Sequence, residues 1–372
     1  MRVFVVFGTR PEAIKLCPVI LHMQGRPKEF SVVTCATAQH REMLDRVLAA
    51  FEVRVDHDLN IMRPNQSLSE STSRIIASLD PVVRKEKPDL ILVQGDTTTT
   101  FCGALAGFYH KVAVGHVEAG LRTGDLWAPF PEEANRVLTS RLASLHFAPT
   151  EAAAANLRRE GVDETSVFVT GNPGIDAVLW MRDRLASGQA RGFDWTGDPA
   201  KKLIVVTAHR RESFGQGFVR ICDAITRLAK REDVEIVYPV HPNPNVREHV
   251  ESRLRGLANV HLIEPLDYVP FVDLLRRAYL LLTDSGGVQE EAPSLGKPVL
   301  VLREKTERPE AVRAGTVKLV GTDADLILRE ASLLLDDANV YGKMSRIHNP
   351  YGDGTASKQI ADSILRACGQ PV

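Results

Sequence analysis

The 372-residue chain predicts an α/β protein of two doubly wound, Rossmann-like domains facing one another across a cleft. Three observations carry this expectation. Near-continuous apolar runs, rich in β-branched residues, alternate with helical stretches, which is the pattern of parallel strands buried on both faces. The alternation stops once, over residues 187–200 (SGQARGFDWTGDPA), and then restarts. The two halves also open alike. One first strand runs into Gly8-Thr9-Arg10-Pro11-Glu12, the other into Ala208-His209-Arg210-Arg211-Glu212.

In the first half the strands are expected at 3–7, 31–35, 89–93 and 112–117, with helices at 11–23, 39–50 and 67–87 between them. The segment 187–200 is rich in glycine and polar residues and reads as a linker or long loop. Beyond it, strands are expected at 203–207, 234–240, 260–263, 279–283, 298–302 and 316–320. A strand at 278–283 followed by Asp284-Ser285-Gly286-Gly287 leads to a helix read over 290–295. A chain of this length exceeds one usual core, so two domains are the natural division.

Composition narrows the function. With 44% hydrophobic and 25% charged residues, the chain is of globular type. A net charge of −1 supplies no general field for nucleic acid or an anionic membrane, so neither is expected as a partner. No apolar run approaches the ~20 residues that span a bilayer. The chain opens directly on a strand, without a signal-peptide pattern. Five scattered cysteines without C-x-x-C spacing fit neither a disulfide framework nor a zinc site, and a reducing cytoplasm suits them best.

Several familiar fingerprints are missing: the phosphate loop, the H-E-x-x-H zinc helix, the G-x-S-x-G elbow and the dinucleotide G-x-G-x-x-G. Asp56-His57-Asp58 has the spacing of some metal sites but reads as a polar loop. No tightly held NAD and no required metal are expected; the cofactor expectation is none.

What the chain has instead is reactive side chains at strand ends, where open α/β sheets bind ligands. After the strand 278–283, bare N–H groups at Ser285-Gly286-Gly287 and a helix dipole would attract a diphosphate. Glu291, about one and a half turns on, could accept hydrogen bonds from two ribose hydroxyls. Gln94-Gly95-Asp96 precedes four threonines; Asp96 is either an N-cap or a functional acid. Glu118 ends an apolar strand, either paired with Arg122 or kept for proton transfer. Pro131-Glu132-Glu133 has the grammar of a helix start, with Arg136 at i+4 from Glu132. His209, before Arg210 and Arg211, suits a phosphate contact or a proton shuttle. Arg10 and Lys15 lie in the first helix, where a cation opposes the dipole unless an anionic ligand answers it. Arg308 follows another strand. Cations, a helix N-terminus and several carboxylates together fit nucleotide-sugar chemistry.

The segments GTRPEAIKL (8–16), TAQHREML (37–44), QGDTTTT (94–100), GHVEAGLRTGD (115–125), PFPEEANR (129–136), TAHRRESFG (207–215), DSGGVQEEAPSLGKPVLVLREKTERPEA (284–311) and NPYGDGTAS (349–357) carry a further signal. In collinear order over nearly the whole chain, it resembles the non-hydrolysing UDP-N-acetylglucosamine 2-epimerases. The resemblance implies a GT-B architecture, with residues 1–170 and a returning helix at 355–372 in one domain and 171–354 in the other. It implies a homodimer and the reversible conversion of UDP-N-acetylglucosamine to UDP-N-acetylmannosamine. Carried over by motif, Arg10, Phe271, Ser285, Gly286, Gly287, Glu291 and Arg308 would bind UDP. Lys15, Asp96, Glu118, Glu132, Arg136 and His209 would form the catalytic set. Gln39, His40 and Arg210 match part of a second, activating UDP-sugar site found in bacterial members. Gly171-Asn172-Pro173-Gly174 and Leu266 depart from the family pattern.

The chemistry agrees with this resemblance. The hydrogen on the acetamido-bearing carbon is not next to a carbonyl, so direct deprotonation is prohibitive. Either a neighbouring hydroxyl is oxidised by NAD, or UDP is eliminated to leave a glycal; the missing dinucleotide fingerprint favours elimination. The rival readings are an epimerase of another UDP-2-acetamido sugar, a hydrolysing relative and a GT-B glycosyltransferase.

Overall fold

The computed structural model describes residues 1–37, 41–61, 63, 66–346 and 348–369. The chain forms two compact units, Met1–Ala177 with Tyr351–Val372 (unit 1) and Val178–Pro350 (unit 2).

Unit 1 is built on seven parallel strands: β1 (Arg2–Phe7), β2 (Ser31–Ala36), β3 (His57–Asp58), β4 (Leu90–Gln94), β5 (Ala113–Val117), β6 (Leu145–Ala148) and β7 (Val167–Val169), in the order β3-β2-β1-β4-β5-β6-β7. The central pairs set Val5 beside Leu92 and Leu92 beside Gly115. Residues 3–7 and 90–93 are wholly buried, as helices on both faces of a parallel sheet require. One core layer gathers Phe4, Val6, Ile75, Leu79, Ile91 and Val93. The helix Leu68–Glu86 lies between an N-cap at Ser67, whose hydroxyl accepts from Glu70 N–H, and a left-handed Lys87. The strands β3, β6 and β7 and their place in the sheet were not among those expected from the sequence.

Unit 2 has six parallel strands: β8 (Lys202–Thr207), β9 (Val234–Pro239), β10 (Val260–Ile263), β11 (Leu280–Thr283), β12 (Val299–Val301) and β13 (Val317–Leu319), in the order β10-β9-β8-β11-β12-β13. Ile204, Val206, Phe218, Ile225, Ile236, Tyr238 and Leu282 lie at the heart of its core. The segment 187–200 is not a free tether. Phe193 N–H donates to Asp273 at 3.1 Å, Arg277 to the Trp195 carbonyl at 2.6 Å and Asp198 N–H to Glu235 at 3.0 Å, so it is a loop fastened along unit 2.

Both orders reverse at one place, between β1 and β4 in unit 1 and between β8 and β11 in unit 2. The carboxyl ends of strands beside such a reversal are where open α/β sheets take their ligands. These ends hold Gly8–Arg10 and Gly95–Asp96 in unit 1, and Ala208–Arg210 and Asp284–Gly287 in unit 2.

The two openings nonetheless differ. After β1 a fifteen-residue helix begins at Arg10, with Glu12 reaching back to the Thr9 cap. After β8 comes only a short 3-10 turn, Arg211–Ser213, and the helix waits until Gln216. Glu212 pairs with Arg303 instead of closing a cap.

Candidate active site

Unit 1 assembles its strand-end residues around two carboxylates. Glu118 follows β5 with φ of +63°, a left-handed conformation that costs a non-glycine residue about 1–2 kcal/mol. That turn aims its buried carboxylate toward β4 and the first helix. Lys15 Nζ donates to Oε1 in an ion pair, Gln94 Nε2 donates to Oε2, and Asn172 Nδ2 donates to Oε1 at 3.4 Å. The alternative pairing with Arg122 does not form. Arg122 binds Glu160 in a two-pronged bridge, because the left-handed turn at Glu118 breaks the spacing that would have brought them together.

Asp96 is not an N-cap. Thr97 caps the helix Thr98–His110, its hydroxyl accepting from Thr100 N–H at 3.1 Å. That leaves Asp96 to pair with Arg136 Nη2 at 2.8 Å. Burial pushes the Asp96 carboxyl up to about 6; Arg136 and Lys15 pull it down, Glu118 and Glu132 push it further up. Three of the four threonines hold this corner together. Thr97 and Thr100 both donate to Glu12, at 2.8 and 3.2 Å, and Thr99 shares a 2.8 Å hydrogen bond with Thr37. A Cβ on Gly8 would stand 2.3 Å from Thr37 Oγ1 and 2.4 Å from Thr99 Oγ1, so the end of β1 admits only glycine.

The adjacent acids Glu132 and Glu133 part company. Glu133 is buried, accepts from Thr123 N–H and Gly124 N–H at 3.0 Å each, and pairs with Arg136 at 3.3 Å. It braces the loop. Glu132 is half-buried, and Arg136 touches only its backbone carbonyl instead of forming the expected i+4 ion pair. Arg10, half-buried at the first position of its helix, has no acidic partner among the described residues.

Unit 2 sets two guanidinium groups beside the start of the helix that follows β11. The helix after β11 runs Gly286–Ser294, beginning four residues before the expected 290, so Ser285 is its N-cap and Gly286 and Gly287 form its first turn. The Ser285 hydroxyl makes no capping bond. The Arg308 guanidinium lies 3.6 Å from where a Gly286 Cβ would be, and Arg210 lies 4.0 Å away. Arg308 is itself paired with buried Glu290. Glu291 folds back toward the helix start, its Oε1 3.9 Å from the Cβ position of Gly287. Phe271 is half-buried on a separate helix, Tyr268–Arg277, and its place near the base rests on the resemblance alone. Gln39 and His40 lie outside the described residues, so Arg210 is the one member of that trio whose surroundings are described.

Sequence reasoning left Asp284 without a role. Its fully buried carboxylate accepts from His209 N–H and Arg210 N–H at 2.7 Å each, and its other oxygen is 3.4 Å from His209 Nδ1. The His209 ring stacks on His241, 5.3 Å between centroids. Burial lowers the His209 pKa, against the opposing pull of Asp284, and keeps the ring neutral near pH 7. Position immediately before Ser285 at the end of β11 was the available signal for Asp284. Among the described residues, no group of three or more His, Cys, Asp and Glu side chains is placed to hold a metal ion.

The family model for UDP-N-acetylglucosamine 2-epimerase matches residues 23–365. The chain belongs to that family. It is therefore an enzyme of the isomerase class. The UDP-N-acetylglucosamine 2-epimerase of Yersinia pestis is 57% identical over 98% of both chains, and that of Escherichia coli K12 is 56% identical with the same coverage. Among solved structures, the Neisseria meningitidis epimerase bound to UDP-GlcNAc is 52% identical with a TM-score of 0.88, covering 98% of this chain and 100% of that one. The Staphylococcus aureus MnaA–UDP structure is 47% identical with a TM-score of 0.85, covering 100% of this chain and 98% of that one. A glycotransferase of kitacinnamycin, at 13% identity and a TM-score of 0.67, shares only the fold with this epimerase-family chain. Among the described residues no helix is long and apolar enough to cross a membrane.

Proposed function

We propose that the chain interconverts UDP-N-acetylglucosamine and UDP-N-acetylmannosamine by eliminating UDP and adding it back through a 2-acetamidoglucal. The observation that carries this reading is Glu118, held at a strained φ of +63° with its carboxylate between Lys15 and Gln94. Strain of this kind at a strand end beside a second acid of raised pKa marks a site built for proton transfer.

Unit 2 serves the nucleotide. Ser285, Gly286 and Gly287 offer N–H donors to the diphosphate, Arg308 neutralises its charge, and Glu291 takes the ribose hydroxyls; Arg10, of unit 1, is the further cation that the resemblance assigns to UDP. Unit 1 serves the sugar. A carboxylate from the set Asp96, Glu118 and Glu132 removes the C2 proton. The electron pair becomes the C1–C2 double bond and the C1–O bond breaks, leaving UDP. Charge developing on the β-phosphate is met by the cations and N–H groups, and neutral His209 assists departure. Return of a proton to the opposite face of C2, with addition of UDP at C1, gives the epimer. Arg136 orients Asp96, and Lys15 orients Glu118.

The resemblance supports a homodimer, which sedimentation equilibrium checks. The free cysteines, four of them buried, suit a reducing cytoplasm. Incubation with UDP-N-acetylglucosamine alone in heavy water tests the reaction. Both epimers should appear with deuterium at C2; unlabelled epimer, or release of free N-acetylmannosamine as the main product, overturns it.

A further inference from the structure

We infer that Asn172 is a positioning residue for Glu118, holding one oxygen of its carboxylate from the point where the chain crosses between the two units. The inference rests on the proposed acid–base role of Glu118 and extends it to a residue on no strand end.

The geometry settles which way the Asn172 amide points. Gly174 N–H donates to Asn172 Oδ1 at 2.9 Å, so the amide oxygen is committed to the start of the helix Pro173–Ala186. Nδ2 is thereby turned toward Glu118 Oε1, 3.4 Å away. Backbone N–H of Asn172 donates to the Tyr351 carbonyl at 2.8 Å. Asn172 is 1% exposed, so these bonds are made out of reach of bulk water. Gly171, at φ of +82°, admits the close approach of Tyr351, whose carbonyl would lie 3.2 Å from a Cβ there.

This location is the crossing itself. The chain leaves unit 1 between Ala177 and Val178 and re-enters at Tyr351. Asp176 accepts from Ala356 and Ser357 N–H groups, at 3.2 and 2.7 Å, and fastens the outgoing helix to the returning one. Glu118 thus has an amide donor on each oxygen, Gln94 from β4 on Oε2 and Asn172 from the crossing on Oε1, with Lys15 also on Oε1. The charged and titratable groups facing it include Lys15 from the first helix, Asp96 beyond β4 and His116 of its own strand, whose ring is kept neutral by burial.

Asn172→Asp is the sharp test because the side chain keeps its shape and its acceptor. The carboxylate still accepts from Gly174, and the backbone still donates to Tyr351. The amide donor toward Glu118 is replaced by an acid that shares a proton with it. The Glu118 carboxyl midpoint in the unliganded protein, followed by carbon-13 NMR and assigned by its loss in Glu118→Gln, should rise by about one pH unit. Asn172→Ala, which removes the donor without adding a charge, should raise the same midpoint less and lower kcat with KM little changed. Unchanged midpoints in both variants overturn the inference, and if Asn172→Asp does not fold, Asn172→Ala decides alone. Wild-type protein that exchanges no C2 hydrogen would sink the proposed function instead, while the carbon-13 titration would still judge Asn172.

Discussion

Asp96 offers the most exacting perturbation. Its side chain is 33% exposed, yet the protein around it removes enough water to lift its carboxyl to about 6, with Arg136 at 2.8 Å as the chief opposing influence. A base of that pKa is ~90% ionised at pH 7 and ~10% ionised at pH 5. If Asp96 takes the sugar proton, which requires its ionised form, kcat/KM should fall about tenfold between those values, because that ratio reports the free enzyme. Asp96→Asn should lose most of the rate, and the remainder should lack the limb near pH 6. Arg136→Gln removes the cation that favours the charged form, so the limb should move to higher pH by roughly one unit. Initial rates by proton NMR of the two anomeric signals, from pH 5 to 8, give all three profiles. A wild-type profile flat to pH 5 refutes the reasoning, as does an Asp96→Asn enzyme that keeps the same limb. Stability supplies an independent sign. A carboxyl raised from 3.8 to about 6 on folding favours the native state below 3.8, and that contribution is lost as pH rises through 6. The melting temperature of Asp96→Asn relative to wild type should therefore climb between pH 4 and pH 8.

Three other substitutions separate chemistry, binding and packing. Glu118→Gln should cut C2 exchange by about 10²–10⁴-fold while UDP affinity, measured by calorimetry, stays within about twofold. Arg308→Ala removes the cation paired with buried Glu290 and should cost about 3 kcal/mol in denaturant unfolding as well as UDP affinity. Adding Glu290→Gln should restore much of the stability and none of the affinity; recovered affinity would remove Arg308 from the nucleotide contacts. Gly8→Ala drives a methyl against Thr37 and Thr99 and should destabilise unit 1 by about 1–3 kcal/mol.

How much of this was legible beforehand follows from where each signal resides. The apolar runs of β1, β4, β8 and β11 announce themselves because strands buried on both faces carry little else. The helix Leu68–Glu86 was bounded within a residue at each end because Ser67 carries its own capping chemistry. The strand β6 was missed because His146 interrupts its apolar run, although that ring is buried and its pKa is lowered to about 4. β3 and β7 were missed for lack of length, at two and three residues. The helix after Ser285 was started too late because glycine is a poor helix former, and its first turn here is set by the strand before it and the core beneath it. Reactive residues at strand ends were legible as a class, since the switch point of a doubly wound sheet dictates where they gather. Their partners were not. The pairing of Glu118 with Lys15, of Arg136 with Asp96, and of Asp284 with two backbone N–H groups joins residues from different elements. Nearness along the chain, which suggested Arg122 for Glu118 and Glu132 for Arg136, says nothing about those.

The central claim is that the bond between the sugar and UDP breaks and re-forms during epimerisation. UDP-N-acetylglucosamine carrying oxygen-18 in the bridge between C1 and the β-phosphate tests it most directly. Torsional freedom of the released β-phosphate should carry the label into non-bridging positions in recovered substrate, at a rate comparable to epimerisation, and phosphorus-31 NMR reads that migration. Complete epimerisation with the label still wholly in the bridge would contradict the account.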